Sequence, residues 1–237
     1  MISNPTERLE QINQRIAQAA KQAGRNPDDI QLIGASKRQS SSLISQFSDA
    51  GLRHIGENYL QEAIDKQRSL IGKNISWHFI GQIQSNKTSL IAQHFSWVHA
   101  VDRLKIAQRL ADAKLKLSIS NDSKSNNKLK VLIQLNPDDE TSKAGVSLDK
   151  AAELCVQLSE LDAINLRGFM MIPAPRDSNI EQRSVFARAY ELMQLTNQQY
   201  GLNMDSLSMG MSSDLEAAIL EGSTMVRIGT DLFGART

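Results

Sequence analysis

The sequence predicts a single (β/α)8 barrel, a TIM barrel of the α/β class, over residues 1–237. Short apolar segments alternate with longer amphipathic helical segments along the whole chain, and eight such apolar segments can be counted. The length of 237 residues is close to the roughly 250 that one such barrel needs. An open doubly wound sheet is the alternative, although it usually contains fewer strands.

The first helix and the predicted strands follow from the spacing of apolar residues. Apolar side chains recur every three or four residues from Leu9 to Ala23, and Gly24 ends this helix. The predicted strands are Ile30–Ser36, His54–Gly56, His78–Ile83, Trp97–Val101, Lys130–Leu135, Leu166–Ile172, Leu207–Met211 and Val226–Ile228. The polar segment 120–128 predicts a surface loop, and the segment 136–146 predicts a longer loop at the rim where barrels carry their function.

Composition and charge exclude several classes of protein. The 27 basic and 26 acidic residues give a net charge of +1, which leaves no electrostatic footprint for nucleic acid. Cys155 is the only cysteine, which excludes an intrachain disulfide, and the 4 histidines lack the spacing of metal ligands, so no metal site is expected. Because the sequence shows no signal peptide and no apolar run that could cross a bilayer, we expect a cytoplasmic protein without membrane contact.

A lysine stands where the first predicted strand ends. Residues at the carboxyl ends of barrel strands share one mouth, so Lys37, which follows the apolar run IQLIGAS, is expected there. Partial burial would favour the neutral amine, which is the form that attacks a carbonyl group. The alternative is an ordinary exposed lysine at the rim, and position alone favours that alternative. A phosphate site across the mouth would favour the nucleophile.

The ends of the seventh and eighth predicted strands have the pattern of such a phosphate site. Barrels often hold phosphate with these two loops and the start of a short helix. Gly229 would let the backbone approach an anion, and the hydroxyls of Ser212 and Thr230 would add donors. For Gly229, a plain turn at the strand end is an equal alternative. Ser213 precedes Glu216 by three residues, the spacing of a capping box, so we expect Ser213 to cap a helix.

Arg227 is predicted to point into the barrel. It lies two residues before Gly229, and residues two apart in a strand share one face, which must be the inner face if Gly229 meets a phosphate. A buried arginine needs an acceptor. This acceptor could be a carboxylate inside the barrel, for instance that of Glu57, or an atom of a cofactor ring.

Six motifs of the chain resemble those of a known family. They are ASK around Lys37, IGENYLQE from Ile55, WHFIGQIQSNK from Trp77, GFMMIP from Gly168, LSMGMSSDLEAAI from Leu207 and GSTMVRIGTDLFG from Gly222. In this order they resemble the YggS/PROSC (PipY-like) family of pyridoxal phosphate homeostasis proteins, a group that is similar to the N-terminal barrel of alanine racemase. The resemblance covers nearly the whole chain.

The resemblance implies a site for pyridoxal 5′-phosphate and a role for each residue of it. Lys37 would form the internal aldimine, a Schiff base, and Arg227 would face the pyridine nitrogen. The phosphate would be held by Ser212, Gly229 and Thr230. Further pocket-lining residues would be Asn58, His78 and Met209. For His78 and Met209, packing in the barrel core is an equal alternative.

The chemistry of Arg227 favours a carrier over an enzyme. A guanidinium only donates hydrogen bonds, so it favours an unprotonated ring nitrogen and weakens the ring as an electron sink. The resemblance therefore implies a non-catalytic carrier that serves vitamin B6 homeostasis and amino-acid and keto-acid balance, with apo enzymes that use pyridoxal phosphate as candidate partners.

Two enzymatic alternatives stay open, a low-activity amino-acid racemase and a Schiff-base aldolase that uses Lys37 without a cofactor. A racemase of this type takes a tyrosine base from a second domain across a dimer, which the 237 residues are not expected to contain. A monomer is expected for the same reason.

Overall fold

The computed structural model describes residues 4–120, 128–140 and 143–234. Its eight strands form one closed parallel barrel in the order β1 to β8, with helices in the connections. The prediction of a (β/α)8 barrel is therefore confirmed, and the open sheet was the wrong alternative. The loop predicted at 120–128 lies almost entirely outside the described residues, as does part of the loop predicted at 136–146.

The elements follow the predicted alternation. The strands are β1 Gln31–Ala35, β2 His54–Glu57, β3 Ser76–Phe79, β4 Trp97–Val101, β5 Leu129–Leu135, β6 Ile164–Met171, β7 Ser206–Ser208 and β8 Met225–Ile228. The helices are α1 Pro5–Gln22, α2 Ser41–Asp49, α3 Leu60–Ser69, α4 Thr88–His94, α5 Leu104–Ser120, α6 Leu148–Ser159, α7 Asn179–Tyr200, α8 Leu215–Leu220 and α9 Thr230–Phe233. Short 3-10 helices lie at Pro27–Asp29 and Ser85–Lys87.

Most strands differ from their predicted bounds by one or two residues at an end, and β3 and β7 differ the most. β3 runs from Ser76 to Phe79, whereas the apolar pattern predicted a strand from His78 to Ile83. Ile83 fits the apolar pattern because it is buried, but it lies in the segment that follows the strand. β7 ends at Ser208 rather than at Met211. Gly210 has a φ of 94°, a left-handed conformation that an extended strand does not adopt, so the strand stops before it.

The described residues divide into two compact units. The first contains Met1–Trp77, Pro175–Tyr190 and Leu207–Thr237. Its core forms where the apolar stripe of α1 packs against α2, α8, α9 and the outward faces of β2 and β8. That stripe consists of Leu9, Ile12, Ile16, Ala19 and Ala20. The unit therefore holds β1, β8 and the end of β7, after which Lys37 and the predicted phosphate site lie.

The second unit contains His78–Ala174 and Glu191–Ser206. Its strands β4, β5 and β6 pair in parallel, with a register shift at Val131 and Leu132. The guanidinium of Arg167 lies 5.3 Å from the ring centroid of Trp97, and Arg167 also forms an ion pair of 2.6 Å with Asp205. Cys155 is buried, which raises the pKa of its thiol to about 12, so it behaves as an apolar core residue.

Two kinds of feature are absent from the described ranges. No helix among them is both long enough and apolar enough to cross a membrane. Within the same ranges, no group of three or more histidine, cysteine, aspartate or glutamate side chains is placed to hold a metal ion.

Candidate functional site

The ends of β1 and β8 meet on the inner face of the sheet. On β1, a Cβ atom added to Gly34 would come within 2.8 Å of Leu52 and 2.9 Å of Phe233, so Gly34 faces the helices. Ala35 must then face inward, since neighbouring residues of a strand point to opposite faces. A Cβ atom added to Gly229 would lie 3.8 Å from the Cβ of Ala35, which places Gly229 on the same inner face.

Lys37 lies two residues beyond Ala35, in a tight turn at the end of β1. The turn closes where the N–H of Gln39 donates to the carbonyl of Ser36 at 3.0 Å, and its third residue, Arg38, has a φ of 62°. Lys37 itself is half-buried. Arg227 pairs in register with Ile33, so Lys37 stands four residues further along the chain, beyond the end of β1.

Arg227 is buried, and its neighbours on β8, Val226 and Ile228, belong to the helix-side core. Alternation therefore turns Arg227 inward, as the sequence predicted. Its Nη1 donates to the carbonyl of Ser208 at 2.5 Å and to the hydroxyl of Ser208 at 2.7 Å. Burial lowers the pKa of Arg227 to about 10, against the opposing charge of Asp214, so the guanidinium stays protonated at neutral pH.

Glu57 is not the partner of Arg227, and that alternative was wrong. Glu57 shares a strand face with Ile55, which belongs to the helix-side core, so its carboxylate points toward α3. There it accepts a hydrogen bond of 2.6 Å from Lys66 and another from the hydroxyl of Ser36. Burial raises the pKa of Glu57, and these two hydrogen bonds oppose that shift.

Gly229 has no packing reason to be a glycine. Its φ of −110° is accessible to other residues, and an added Cβ would meet only Ala35, at 3.4 Å from the carbonyl oxygen and 3.8 Å from the Cβ. These are ordinary van der Waals contacts. The missing Cβ leaves room on the inner face beside the end of β1, which fits close approach of a ligand better than it fits a plain turn.

Ser212 and Thr230 lie in segments that one arginine of α1 ties together. The Nη2 of Arg15 donates to the carbonyl of Ser212 at 2.8 Å, and its Nη1 donates to Asp231, the residue after Thr230, at 3.1 Å. Arg15 donates two further hydrogen bonds, of 2.7 and 3.0 Å, to the carboxylate of Glu216. Thr230 is exposed and begins α9, where the first N–H groups of a helix lack partners within the helix.

Ser213 does not cap α8, contrary to the sequence prediction. The helix begins at Leu215, its N-cap residue is Asp214, and the carboxylate of Glu216 turns to Arg15 instead of back to Ser213. Asp214 accepts a hydrogen bond of 2.6 Å from the N–H of Met211 and so closes the turn that contains Ser212. A sequence spacing of three residues cannot reveal that a distant arginine competes for the same carboxylate.

Asn58 and Met209 each lie one residue beyond the end of a strand. Asn58 follows β2 and is half-buried, and alternation with Glu57 turns it toward the inner face. Met209 is buried directly after Ser208, whose hydroxyl meets Arg227, so alternation favours the opposite face for Met209. The pocket role of both residues stays a prediction.

His78 belongs to the second unit, where it lies among other rings. Its Nδ1 is 2.9 Å from the Nε2 of His99, and its ring stacks on Trp97 with a centroid distance of 5.6 Å. All three side chains are buried. These contacts support the packing alternative, and a pocket role for His78 stays a prediction.

Several residues around the site were missed by sequence reasoning. Ser208 and Asp214 both act on Arg227, and the motif LSMGMSSDLEAAI contains them without marking either one. Lys66 on α3 was missed entirely. The sequence does place Lys66 one helical turn after Glu62, on the helix that follows the motif IGEN. Spacing alone, however, does not predict that a lysine is buried.

Comparisons with known proteins found relatives that match nearly the whole chain. Residues 8–237 match the family described as alanine racemase, N-terminal domain. A pyridoxal phosphate homeostasis protein of Pseudomonas aeruginosa is 46% identical over 235 residues, which cover 99% of this chain and 97% of that protein. A protein of the same name from Escherichia coli K12 is 44% identical over 232 residues, which cover 96% and 95%.

Solved structures show the same relationship. PipY of Synechococcus elongatus, determined without pyridoxal phosphate, has 35% identity and a TM-score of 0.81, and the match covers 94% of this chain and all 100% of PipY. PipY with pyridoxal phosphate bound has a TM-score of 0.79 at 35% identity, with 92% and 100% covered. An alanine racemase of Clostridium difficile shares the fold at 16% identity with a TM-score of 0.74, and the match covers 56% of the racemase chain.

The barrel and the family match define the class, which is that of barrels built like the N-terminal domain of alanine racemase. Within that class, the chain belongs to the family of pyridoxal phosphate homeostasis proteins.

Proposed function

We propose that this chain binds pyridoxal 5′-phosphate and acts as a pyridoxal phosphate homeostasis protein, a carrier of the cofactor rather than an enzyme. The names of its relatives and the PipY structure with the bound cofactor support this function. The observation that carries it in this chain is the inner face at the ends of β1 and β8. Near these strand ends lie the buried guanidinium of Arg227, a glycine without a packing role, and the turn after β1 that carries Lys37.

The residues present fit this cofactor. The chemistry that pyridoxal phosphate would supply is an electrophilic aldehyde and an electron-accepting ring. Lys37 attaches the cofactor covalently through its side-chain amine, and Gly229 leaves room beside it. Arg227 donates a hydrogen bond to the ring nitrogen and disfavours its protonation, because a guanidinium has no acceptor to offer.

The remaining residues hold and surround the cofactor. Ser212, Gly229 and Thr230 donate hydrogen bonds to the phosphate, from two hydroxyls and from backbone N–H groups. Asn58 lines the pocket, whereas the positions of Met209 and His78 favour their alternative role in packing the core. Arg15 holds the two segments that carry Ser212 and Thr230.

The proposal extends to how the protein works as a whole. Residues 1–237 act as one barrel domain, as a cytoplasmic monomer, and pass the cofactor to apo enzymes that need it. Light scattering of the purified protein measures the oligomeric state. Activation of an apo enzyme by the loaded protein, compared with an equal concentration of free cofactor, measures delivery.

Covalent attachment at Lys37 provides the direct test. Protein mixed with pyridoxal phosphate should gain a visible absorption band, and reduction with borohydride followed by peptide mapping should place the cofactor on the peptide that contains Lys37. Lys37→Ala should lose both the band and the adduct. An adduct that maps to Lys87 or Lys143 instead, with Lys37→Ala unchanged, would overturn the assignment.

A further inference from the structure

The turn that carries Lys37 is held from α3 on both sides of the lysine. Before Lys37, the carbonyl of Ser36 accepts a hydrogen bond of 2.7 Å from the Nζ of Lys66. After Lys37, the N–H of Arg38 donates to Oε1 of Glu62 at 2.5 Å. Arg38 has a φ of 62°, which residues with a side chain rarely adopt, so the contact with Glu62 holds a backbone that would otherwise relax.

Lys66 joins these two contacts into one network. Its ammonium group has three N–H donors and makes three short contacts, at 2.7 Å to Ser36, 2.6 Å to Glu57 and 2.6 Å to Glu62. The oxygen of Glu62 that it binds is the same Oε1 that holds Arg38. Only 5% of Lys66 is exposed, so water cannot replace these partners.

Glu57 completes this Lys66 network, which consists of Ser36, Glu57, Glu62 and Lys66. The hydroxyl of Ser36 donates to Oε1 of Glu57, the same atom that Lys66 binds, while Oε2 is buried without a hydrogen-bond partner among the described residues. Buried ion pairs of this kind often add little stability compared with apolar residues of similar volume. Stability alone therefore does not account for a lysine and a carboxylate at these positions.

We propose that Lys66 is a positioning residue that sets the backbone on both sides of Lys37 and so aims the Lys37 amine at the inner face of the barrel. This rests on the proposed function of Lys37 as the attachment residue. The Lys66 ammonium group contacts Ser36, Glu57 and Glu62. It acts through the carbonyl of Ser36 and through Glu62, which holds Arg38.

The experiment compares Lys66→Met with Lys73→Met in the full chain. Lys73 forms an exposed ion pair of 2.6 Å with Asp49 shortly after the same helix, so it controls for the loss of one lysine and one ion pair. Because Lys66→Met leaves Glu57 buried without its cation, the double variant Lys66→Met/Glu57→Gln serves as a second form that removes the uncompensated charge. Thermal unfolding of the cofactor-free proteins establishes that each variant folds.

Three quantities are measured on the folded proteins at 25 °C. They are the concentration of pyridoxal phosphate that gives half-maximal absorbance, the pH dependence of attachment, and the rate at which acetic anhydride modifies Lys37 in the cofactor-free protein. For both Lys66 variants we expect at least a tenfold rise in the half-saturating concentration, a shifted pH midpoint and a changed rate of Lys37 acetylation. Lys73→Met should match the parent in all three.

The outcomes separate the possible failures. If both Lys66 variants fold and stay within twofold of the parent in half-saturation and pH midpoint, the positioning role is wrong, even if the variants melt earlier. If neither Lys66 variant folds, Glu62→Ala removes the hydrogen bond to the N–H of Arg38 at a side chain that is only half-buried. Parent-like attachment of pyridoxal phosphate by Glu62→Ala would then overturn the positioning role. If the parent itself attaches no cofactor at Lys37, it is the proposed function that has failed.

Discussion

At the level of single residues, Gly34 in β1 and Gly229 directly after β8 are glycines for opposite reasons. Gly34 on β1 is required by packing, because a Cβ would lie within 2.9 Å of Leu52 and Phe233. Gly229, after β8, meets only Ala35 at ordinary contact distance, so the chain itself would accept a side chain there. The sequence suggested a role for Gly229 from its place after the eighth strand, but only the geometry separates the two reasons.

Gly229→Ala should therefore keep the fold and lose affinity for pyridoxal phosphate. The added methyl group takes space that the proposed phosphate needs, and we expect at least about a tenfold loss of affinity, or roughly 1.4 kcal/mol. Gly34→Ala is the matched control, and overpacking should cost it about 1–3 kcal/mol of unfolding free energy. Its folded fraction should bind normally. Thermal unfolding measures the stability of the two variants, and absorbance titration measures their affinity for pyridoxal phosphate. Parent-like binding by Gly229→Ala would contradict the proposed role of Gly229 in phosphate binding.

Arg227 should limit the chemistry of the bound cofactor. Arg227→Glu supplies a carboxylate that favours a protonated ring nitrogen and a stronger electron sink, so slow half-transamination with added L-amino acids should appear where the parent shows none. Arg227→Gln removes the charge without supplying a carboxylate and should stay inactive. Keto-acid formation measures the reaction. Equal conversion by the parent and by Arg227→Glu would show that Arg227 does not restrain catalysis.

At the level of elements, the alternation of strands and helices could be predicted well, and contacts between elements could not. Strand periodicity placed Arg227 on the inner face because that placement needs only residues within β8. The partner suggested for it, Glu57, was wrong because β2 turns this residue outward to Lys66 on α3. β7 likewise ended early at Ser208, because the left-handed φ of Gly210 cannot be inferred from the run LSMGM.

The first helix should support phosphate binding through Arg15. Arg15→Met breaks its bonds to Ser212 and Asp231, so affinity for pyridoxal phosphate should fall by about fivefold, close to 1 kcal/mol, as expected for partly exposed ion pairs. Affinity for pyridoxal, which lacks the phosphate, should not change.

Arg183→Met is the control for this prediction. Arg183 forms a comparable ion pair of 2.6 Å with Glu221, at the far end of α8 from Ser212. Isothermal titration calorimetry with pyridoxal and with pyridoxal phosphate measures the affinities of both variants. An equal loss for pyridoxal and pyridoxal phosphate, or an equal loss in Arg183→Met, would mean that Arg15 contributes general stability instead of phosphate binding.

For the whole molecule, the fold could be predicted because it repeats one local pattern eight times, whereas the site could be predicted only in part. Lys37, Arg227 and Gly229 lie at strand ends, so their approximate positions follow from the barrel topology. The network around Lys66 depends on a helix side chain that crosses to a strand end, and no periodicity encodes that contact. The four residues of this network fix Lys37 in place without appearing in any recognisable catalytic pattern.

Taken as a whole, the protein should carry pyridoxal phosphate without racemising amino acids. Racemisation needs a base on each face of the cofactor ring, and Lys37 can supply one of them. The first suspect for a second base is Tyr59, which directly precedes α3 and is 51% exposed. The loaded protein, mixed with L- or D-alanine and followed by chiral chromatography, should show no steady turnover. A rate of about 1 per second or more, lost in Tyr59→Phe, would establish an enzyme and refute the carrier.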